Sequence, residues 1–326
     1  MQNGFSTVSG SSVENRLASF LSERYGLAVC SLRAAPRGFF GETWRVEAPG
    51  GPYFLKLDRW AYHRPVFRRG LLAADRLLGA GLDFLAPLIR GTDGALWYSF
   101  EDGDLALFGF AEGEHTEDYP LGELFSRLAR AYRVKADDLP LPREDFTPRA
   151  LLRFEKNAAA LDESTPDGAL ALSLFRENAA LLGQIRDRVL VFSEVCRRGD
   201  PGPVVLTHGD AGGNCIVGPD RFTVIDWDEA MLAPPERDAW FFMHRESQTR
   251  AIEEALARGG FPYRLRRERF AFYCYASVFY YLSEYLEALA CGKEEQKPAI
   301  REKFRGFFTS WIRTQLAAAD LVSPFP

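Results

Sequence analysis

The sequence predicts an α+β protein of two lobes, a small antiparallel β-rich lobe followed by a larger, mainly helical one. Three observations lead there. At 326 residues the chain is longer than one hydrophobic core usually supports, so two lobes are the natural division. Residues 27–57 and 84–110 carry short apolar or alternating runs broken by Gly, Pro and Asp, the pattern of strands and turns. Beyond Pro120, apolar residues recur at three- and four-residue spacing over long stretches, the pattern of helices.

Composition narrows the class. Hydrophobic content of 47% and charged content of 26% are those of an ordinary soluble protein. A net charge of −5 argues against nucleic acid as a partner and permits a cationic small molecule. The five cysteines are scattered, form no CxxC pair and do not cluster with the four histidines. A zinc site is therefore not expected, and a reduced, cytoplasmic setting is. The opening MQNGFSTVSGSSVENRL lacks the basic start and apolar centre of a signal peptide. Residues 270–289 are the most apolar long stretch, but Glu284 and Glu287 interrupt it, so it reads as a buried helix and no membrane partner is expected. Nothing in the composition favours one oligomeric state over another.

In chain order, residues 12–25 show helical spacing, with Val13, Leu17, Phe20 and Leu21 on one face and Ser11 or Ser12 as N-cap. Residues 37–46 form a turn bearing Gly38 and Gly41 that leads into a strand. After the turn at Pro49, Gly50 and Gly51 comes YFLKLD, which alternates around Lys56. Residues 65–80 read as a helix closing at Gly79 and Gly81. A hairpin about the turn at residues 91–94 is expected within 84–100, and residues 105–110 (LALFGF) form an apolar strand. Helices follow at 121–134, 148–161 and 168–196, then at 245–259, 264–290 and 303–319. The helix at 264–290 is aromatic on nearly every face, so most of it is core. Its tyrosines, with Glu284 or Glu287, also offer hydrogen bonds and cation–π contacts to an aminated sugar.

Chemistry concentrates in residues 207–228, THGDAGGNCIVGPDRFTVIDWD. Two β-rich segments, 215–217 and 222–225, flank a Gly-Pro-Asp turn and read as a hairpin. If Val217 faces Thr223, the register sets Asn214 opposite Asp226 at the open end, with Asp210 on the loop before them. Oxygen ligands on exposed loop ends, backed by buried strands, suit a hard cation such as Mg²⁺ carried in with phosphates.

His208-Gly209-Asp210, then Asn214, then Ile225-Asp226-Trp227-Asp228 resemble the aminoglycoside phosphotransferase and choline kinase superfamily, relatives of the protein kinases. The phrase APPERD after that motif is similar to the spectinomycin phosphotransferase branch. The resemblance implies a two-lobed protein-kinase-like fold: a nucleotide-binding lobe over residues 1–107, a hinge over 108–114, and a helical lobe over 115–326. It implies Asp210 as catalytic base, Asn214 and Asp226 as metal ligands, and Asp228 as support for the metal site. Lys56 would pair with the α/β-phosphates, Gly38 and Gly41 would cover them, and the backbone at Phe108 to Phe110 would read the adenine edge. ATP is the implied phosphoryl donor, with GTP the alternative, Mg²⁺ the metal, and a hydroxyl of a small molecule the acceptor. A nucleotide-binding protein of the same fold with little catalysis is the competing reading.

Two departures accompany the resemblance. Family members usually place the Asn one residue further from the catalytic Asp than Asn214 lies from Asp210. The acid that normally orients the strand lysine falls near Leu71, leaving Asp75 and Asp58 as alternatives, or an ion pair that is absent or supplied from elsewhere in the chain. His208 reads as a packing residue, and Asp238 as a structural acid. Arg237 is expected to pair with Glu236 or Asp238.

Overall fold

The computed structural model describes residues 12–35, 41–116, 118–200, 202–242, 246–292, 294 and 296–322. Gly38, the Ser11 cap position and the opening residues weighed as a signal peptide lie outside them. The elements run α1 (Ser12–Tyr25), β1 (Ser31–Ala34), β2 (Gly41–Ala48), β3 (Gly51–Asp58), α2 (Arg64–Gly79), β4 (Leu88–Ile89), β5 (Tyr98–Phe100), β6 (Gly103–Gly109) and β7 (Glu114–His115). Then come α3 (Leu121–Ala131), α4 (Arg149–Ala159), α5 (Pro166–Glu177), α6 (Ala179–Arg198), β8 (Val205–Thr207), β9 (Cys215–Val217), β10 (Phe222–Val224) and β11 (Met231–Ala233). The chain closes with α7 (Glu236–Ala239), α8 (Glu246–Arg258), α9 (Arg267–Cys291), α10 (Lys297–Gly306) and α11 (Ile312–Val322).

The chain divides into two compact units. The first comprises residues 1–120, 134–141 and 208–230; the second comprises 121–133, 142–207 and 231–326. The expected α+β class is therefore observed, as an antiparallel sheet-bearing unit and a helical one.

In the first unit, antiparallel strands lie in the order β1-β2-β3-β6-β4, with β5 also paired to β6. Strand periodicity sorts the side chains of β3 and β6. Leu55, Leu57, Leu105 and Leu107 join Leu17, Leu21 and Tyr25 of α1 in one core cluster. Ala106, which faces Lys56 across the ladder, instead joins Phe67 and Leu71 of α2 in a second cluster. Residues alternating along one strand point to opposite faces, so Lys56 is carried on the α2 side. The hairpin expected within 84–100 does not form. The turn is present, with the Gly94 N–H donating to the Gly91 carbonyl at 2.8 Å. However, β4 and β5 both pair with β6, at Leu107–Phe108 and Gly103–Leu105 respectively. They share successive lengths of the β6 edge, which is long enough to take both.

In the second unit, α9 packs against α4, α6, α7, α10 and α11. Its Phe270, Tyr275 and Phe279 are fully buried, as its aromatic composition predicts. Glu284 and Glu287 are engaged within the unit: Arg153 of α4 reaches Glu284 at 2.6 Å and forms a fork on Glu287, and Asn157 donates to Glu287 at 2.8 Å. The helix expected over 168–196 is two helices, broken at Asn178. The Asn178 side-chain amide donates to the Leu174 carbonyl at 2.9 Å, closing the last turn of α5. The expected closing helix at 303–319 is α10 and α11 joined by a π-helical turn at Phe307–Trp311. Among the described residues no helix is long and apolar enough to cross a membrane.

Buried charges are paired in this unit. Glu236 accepts hydrogen bonds from Tyr263 Oη at 3.0 Å and the Arg266 N–H at 2.7 Å, and lies 3.8 Å from Arg269. Arg237 donates to Thr207 Oγ1 at 3.1 Å. Asp238 accepts from the buried Tyr132 hydroxyl at 2.9 Å, in keeping with a structural acid. Tyr132→Phe removes one bond to a buried carboxylate and should cost about 1.5–3 kcal/mol. The expected reading is a lower urea midpoint with an unchanged slope.

Candidate active site

The hairpin of β9 and β10 forms, but its register differs from expectation by one residue. Val217 pairs with Phe222 and Cys215 with Val224, so the Ile225 N–H donates to the Asn214 carbonyl at 3.0 Å. The Gly218 N–H bonds the Arg221 carbonyl at 2.8 Å, which closes the turn over four residues, 218–221, and fixes that register. Asn214 therefore faces Ile225 rather than Asp226. A one-residue shift would normally send Asp226 to the other side. Asp226 instead adopts a left-handed conformation, φ 61°, ψ 65°, which redirects its side chain.

Strand β3 and the segment after β10 bring the charged groups together. Lys56 on β3 extends its ammonium to Asp226 Oδ1 at 2.6 Å and Asp228 Oδ2 at 2.7 Å. Its side chain and that of Asp228 are 13% and 12% exposed, whereas Asp226 is 41% exposed. Burial works against the lysine charge, but the two carboxylates outweigh it and hold its pKa above the usual lysine value. Burial also opposes ionisation of Asp226, yet Lys56 pulls its pKa below the ordinary range. Asp228 goes the other way: burial, with the neighbouring Asp226 charge, pushes it up to about 6 against the pull of Lys56. The Phe67 ring lies 5.5 Å from the ammonium on the α2 side.

Neither alternative acid serves Lys56. Asp75 binds Arg90 at 2.5 Å, and the fully buried Asp58 binds His63 Nδ1 at 2.6 Å. Leu71 is buried apolar core, as its chemistry requires. Helix α2 is secured by other means. Arg68 forks onto the buried Asp104 of β6 at 2.8 and 3.0 Å. Gly70 lies so close to the segment Trp227–Glu229 that a Cβ there would sit 2.6 Å from Asp228 Cα and 2.7 Å from the Trp227 carbonyl oxygen. A glycine inside a helix is costly and often marks a close approach. That was the one signal in the sequence pointing to this contact. His63, just before α2, carried none.

His208 is fully buried and acts as scaffold. Its Nε2 donates to the Ile225 carbonyl at 2.8 Å, while Nδ1 accepts from the Asp210 N–H at 3.2 Å. Those two bonds define the neutral tautomer. The ring also tilts against Trp227, 4.6 Å between centroids. Asp210 itself is exposed. Asn214 Nδ2 donates to the Asp210 carbonyl at 2.6 Å and to its Oδ2 at 3.1 Å.

Of the remaining expected nucleotide contacts, Gly41 lies against the Lys56 stem, its Cβ position 3.5 Å from Lys56 Cγ. Phe108 packs on the α2 cluster, and Arg45 covers the Phe110 ring at 4.2 Å. The N–H groups of Gly109 and Phe110 are engaged by the Pro87 and Pro52 carbonyls at 2.7 and 3.3 Å. Among the described residues, no three His, Cys, Asp or Glu side chains form a metal cage. The two aspartates already hold a cation, the Lys56 ammonium, and carboxylate and amide oxygens such as theirs and that of Asn214 are hard donors. Such donors fit Mg²⁺, which takes one or two carboxylates and completes its shell with phosphate and water.

A β-sheet lysine aimed at two aspartates just past a short hairpin, with a third aspartate on the loop before it, is the arrangement expected of phosphoryl-transfer proteins with a kinase-like fold. Residues 31–271 match the model of the phosphotransferase enzyme family APH, and the chain belongs to that family. Protein StrN of Streptomyces griseus is 26% identical over 230 residues, 61% of this chain and 70% of that protein. Spectinomycin phosphotransferase APH(9)-Ia, solved with ADP and spectinomycin, shares the fold at a TM-score of 0.73, with 18% identity over 94% of this chain and 98% of its own. A microcompartment-associated aminopropanol kinase aligns at a TM-score of 0.59 and 17% identity, over 95% of this chain and 96% of its own.

Gly70→Ala should destabilise the protein by about 1–3 kcal/mol, the usual cost of overpacking against backbone that cannot retreat. Thermal melting with and without nucleotide would read it. A second expectation concerns pH. Burial opposes protonation of His63, but the Asp58 hydrogen bond and the charges of Asp228 and Asp58 raise its pKa above 6.5. A raised histidine stabilises fully below its unfolded pKa and loses that contribution as pH climbs through the folded value. The melting-temperature difference between wild type and His63→Gln should therefore be largest near pH 6 and shrink towards pH 9.

Proposed function

We propose that the chain is a small-molecule kinase that moves the γ-phosphoryl group of ATP to an acceptor hydroxyl. The observation that carries this reading is the Lys56–Asp226–Asp228 cluster, in which one ammonium bridges two carboxylates suited to a hard cation. Asp226, Asp228 and Asn214 would hold Mg²⁺, which when bound supplies charge neutralisation to the transferring phosphoryl group. Lys56 would turn from the aspartates to the α/β-phosphates. Gly41, with Gly38 before it, would leave room for the phosphates above the lysine stem, and the 108–114 segment would serve as the hinge for the base.

Asp210 is the base in this reading. Its exposure lets it meet an acceptor hydroxyl. The His208 bond to its own N–H and the Asn214 bond to Oδ2 fix its direction. Its carboxylate would take the proton, or orient it, as the phosphoryl group arrives. Because such catalysis is largely positioning and charge stabilisation, few side chains are needed. The acceptor is proposed as an aminocyclitol, aminoglycoside or amino-alcohol. The spectinomycin phosphotransferase and the aminopropanol kinase support that range, since each is named for an amino-bearing alcohol.

Steady-state ATP turnover across a panel of amino-bearing alcohols tests the reading. Asp210→Asn should lower kcat by about 10²–10⁴-fold while leaving nucleotide binding intact. Wild-type transfer by that variant would show that Asp210 is not the base. Nucleotide binding by the wild type with no turnover on any acceptor would favour the catalytically weak relative.

A further inference from the structure

We infer that His115 and Tyr119 are positioning residues that hold the short Asp210–Asn214 loop in its working geometry; the inference rests on the phosphoryl-transfer reading above. The loop is Ala211-Gly212-Gly213, a single 3₁₀ turn. Two consecutive glycines give it more backbone freedom than any other pair would. Its ends carry the base and a metal ligand, so its shape must be imposed from elsewhere.

The segment after the hinge imposes it. Tyr119 Oη donates to the Gly212 carbonyl at 2.6 Å, and His115 Nε2 lies 2.6 Å from the Gly213 carbonyl. A carbonyl only accepts, so Nε2 carries the proton and donates. Each glycine is thus held by one side chain. Those two side chains come from a segment that is itself fastened to the hairpin. Glu114 pairs with Val217 and His115 with Ile216, making β7 the third strand beside β9. The Thr116 N–H donates to the Cys215 carbonyl at 3.3 Å. The Tyr119 ring meets Phe222 edge-on at 5.5 Å between centroids. Gly113 opens the segment at φ +139°, with a Cβ position only 2.5 Å from the Val217 carbonyl oxygen, so no side chain fits there. At the loop's far side the Asn214 amide closes back onto Asp210.

The loop holds Asn214 close enough to Asp210 for the amide to bond the carboxylate directly. His115 and Tyr119 then fix the two glycines that make that approach feasible. Neither side chain touches the reacting atoms; both act through the carbonyls of the loop.

Tyr119→Phe removes one bond and keeps the ring. Steady-state kinetics should show kcat reduced by about tenfold, the effect of one lost hydrogen bond expressed in the transition state. KM for ATP and the melting temperature should stay close to wild type. His115→Ala should behave alike, and His115→Gln, which retains a donor, should recover most of the rate. In an Asp210→Asn background Tyr119→Phe should add almost nothing, because both changes act on the same group. Hydrogen exchange at the amides of residues 211–214 should quicken in Tyr119→Phe. Unchanged exchange would overturn the anchoring, and faster exchange with unchanged kcat would overturn the positioning role. So would an equal loss in the Asp210→Asn background. A wild type with no turnover would overturn the phosphotransfer reading instead, and the exchange result would still decide whether the loop is anchored.

Discussion

One ammonium held between two carboxylates organises the first unit. Lys56, Asp226 and Asp228 come from a strand and a short segment 170 and 172 residues further on, and the largely buried charges of Lys56 and Asp228 are each paired. Burial alone disfavours the charge on the lysine, and each carboxylate disfavours ionisation of the other. Together they leave a net charge near −1, which a divalent cation and a phosphate chain can take over. The cluster is a structural ion-paired group and, in the proposed reading, the place where the divalent cation would bind.

The remaining architecture serves to keep that cluster closed. Strand alternation places Leu55 and Leu57 in the core and turns Lys56 to the opposite face. Helix α2 brings no acid to the lysine; it supplies Phe67 beneath it and Gly70 against the aspartate segment. The helix is held by Arg68 on Asp104 and its entry by His63 on Asp58, both built on fully buried carboxylates. A helix so fixed has no need of an ion pair with the strand lysine. The absence of an acid at Leu71 is therefore compatible with an ordered site.

Much of this was legible in the sequence, and the failures have physical causes. Element types were readable because periodicity reports which face is buried: α1 and α2 emerged within a residue or two of their expected bounds, as did β3 with its lysine. The candidate residues Asp210, Asn214, Asp226 and Asp228 could be picked out because they flank one hairpin whose turn residues announce themselves. Its register was not legible, since the bond closing a four-residue turn cannot be told from a looser one by composition, and the left-handed Asp226 that repairs the slip is a tertiary accommodation. The break at Asn178 was hidden because its neighbours keep helical spacing. His63, His115 and Tyr119 were invisible for another reason: each acts on backbone or on a residue brought near only by folding. The Lys56 partner was missed similarly, because local acids looked nearer in sequence than the pair that is nearest in space.

If Asp226 and Asp228, released by Lys56, form the divalent-cation site for the bound nucleotide, Mg²⁺ must act on ATP binding through them. Calorimetric titration of ATP with and without Mg²⁺, into wild type and Asp226→Ala, tests it most directly. The account predicts that Mg²⁺ strengthens ATP binding to the wild type and does not strengthen it in the variant. An equal Mg²⁺ effect in both proteins would contradict it.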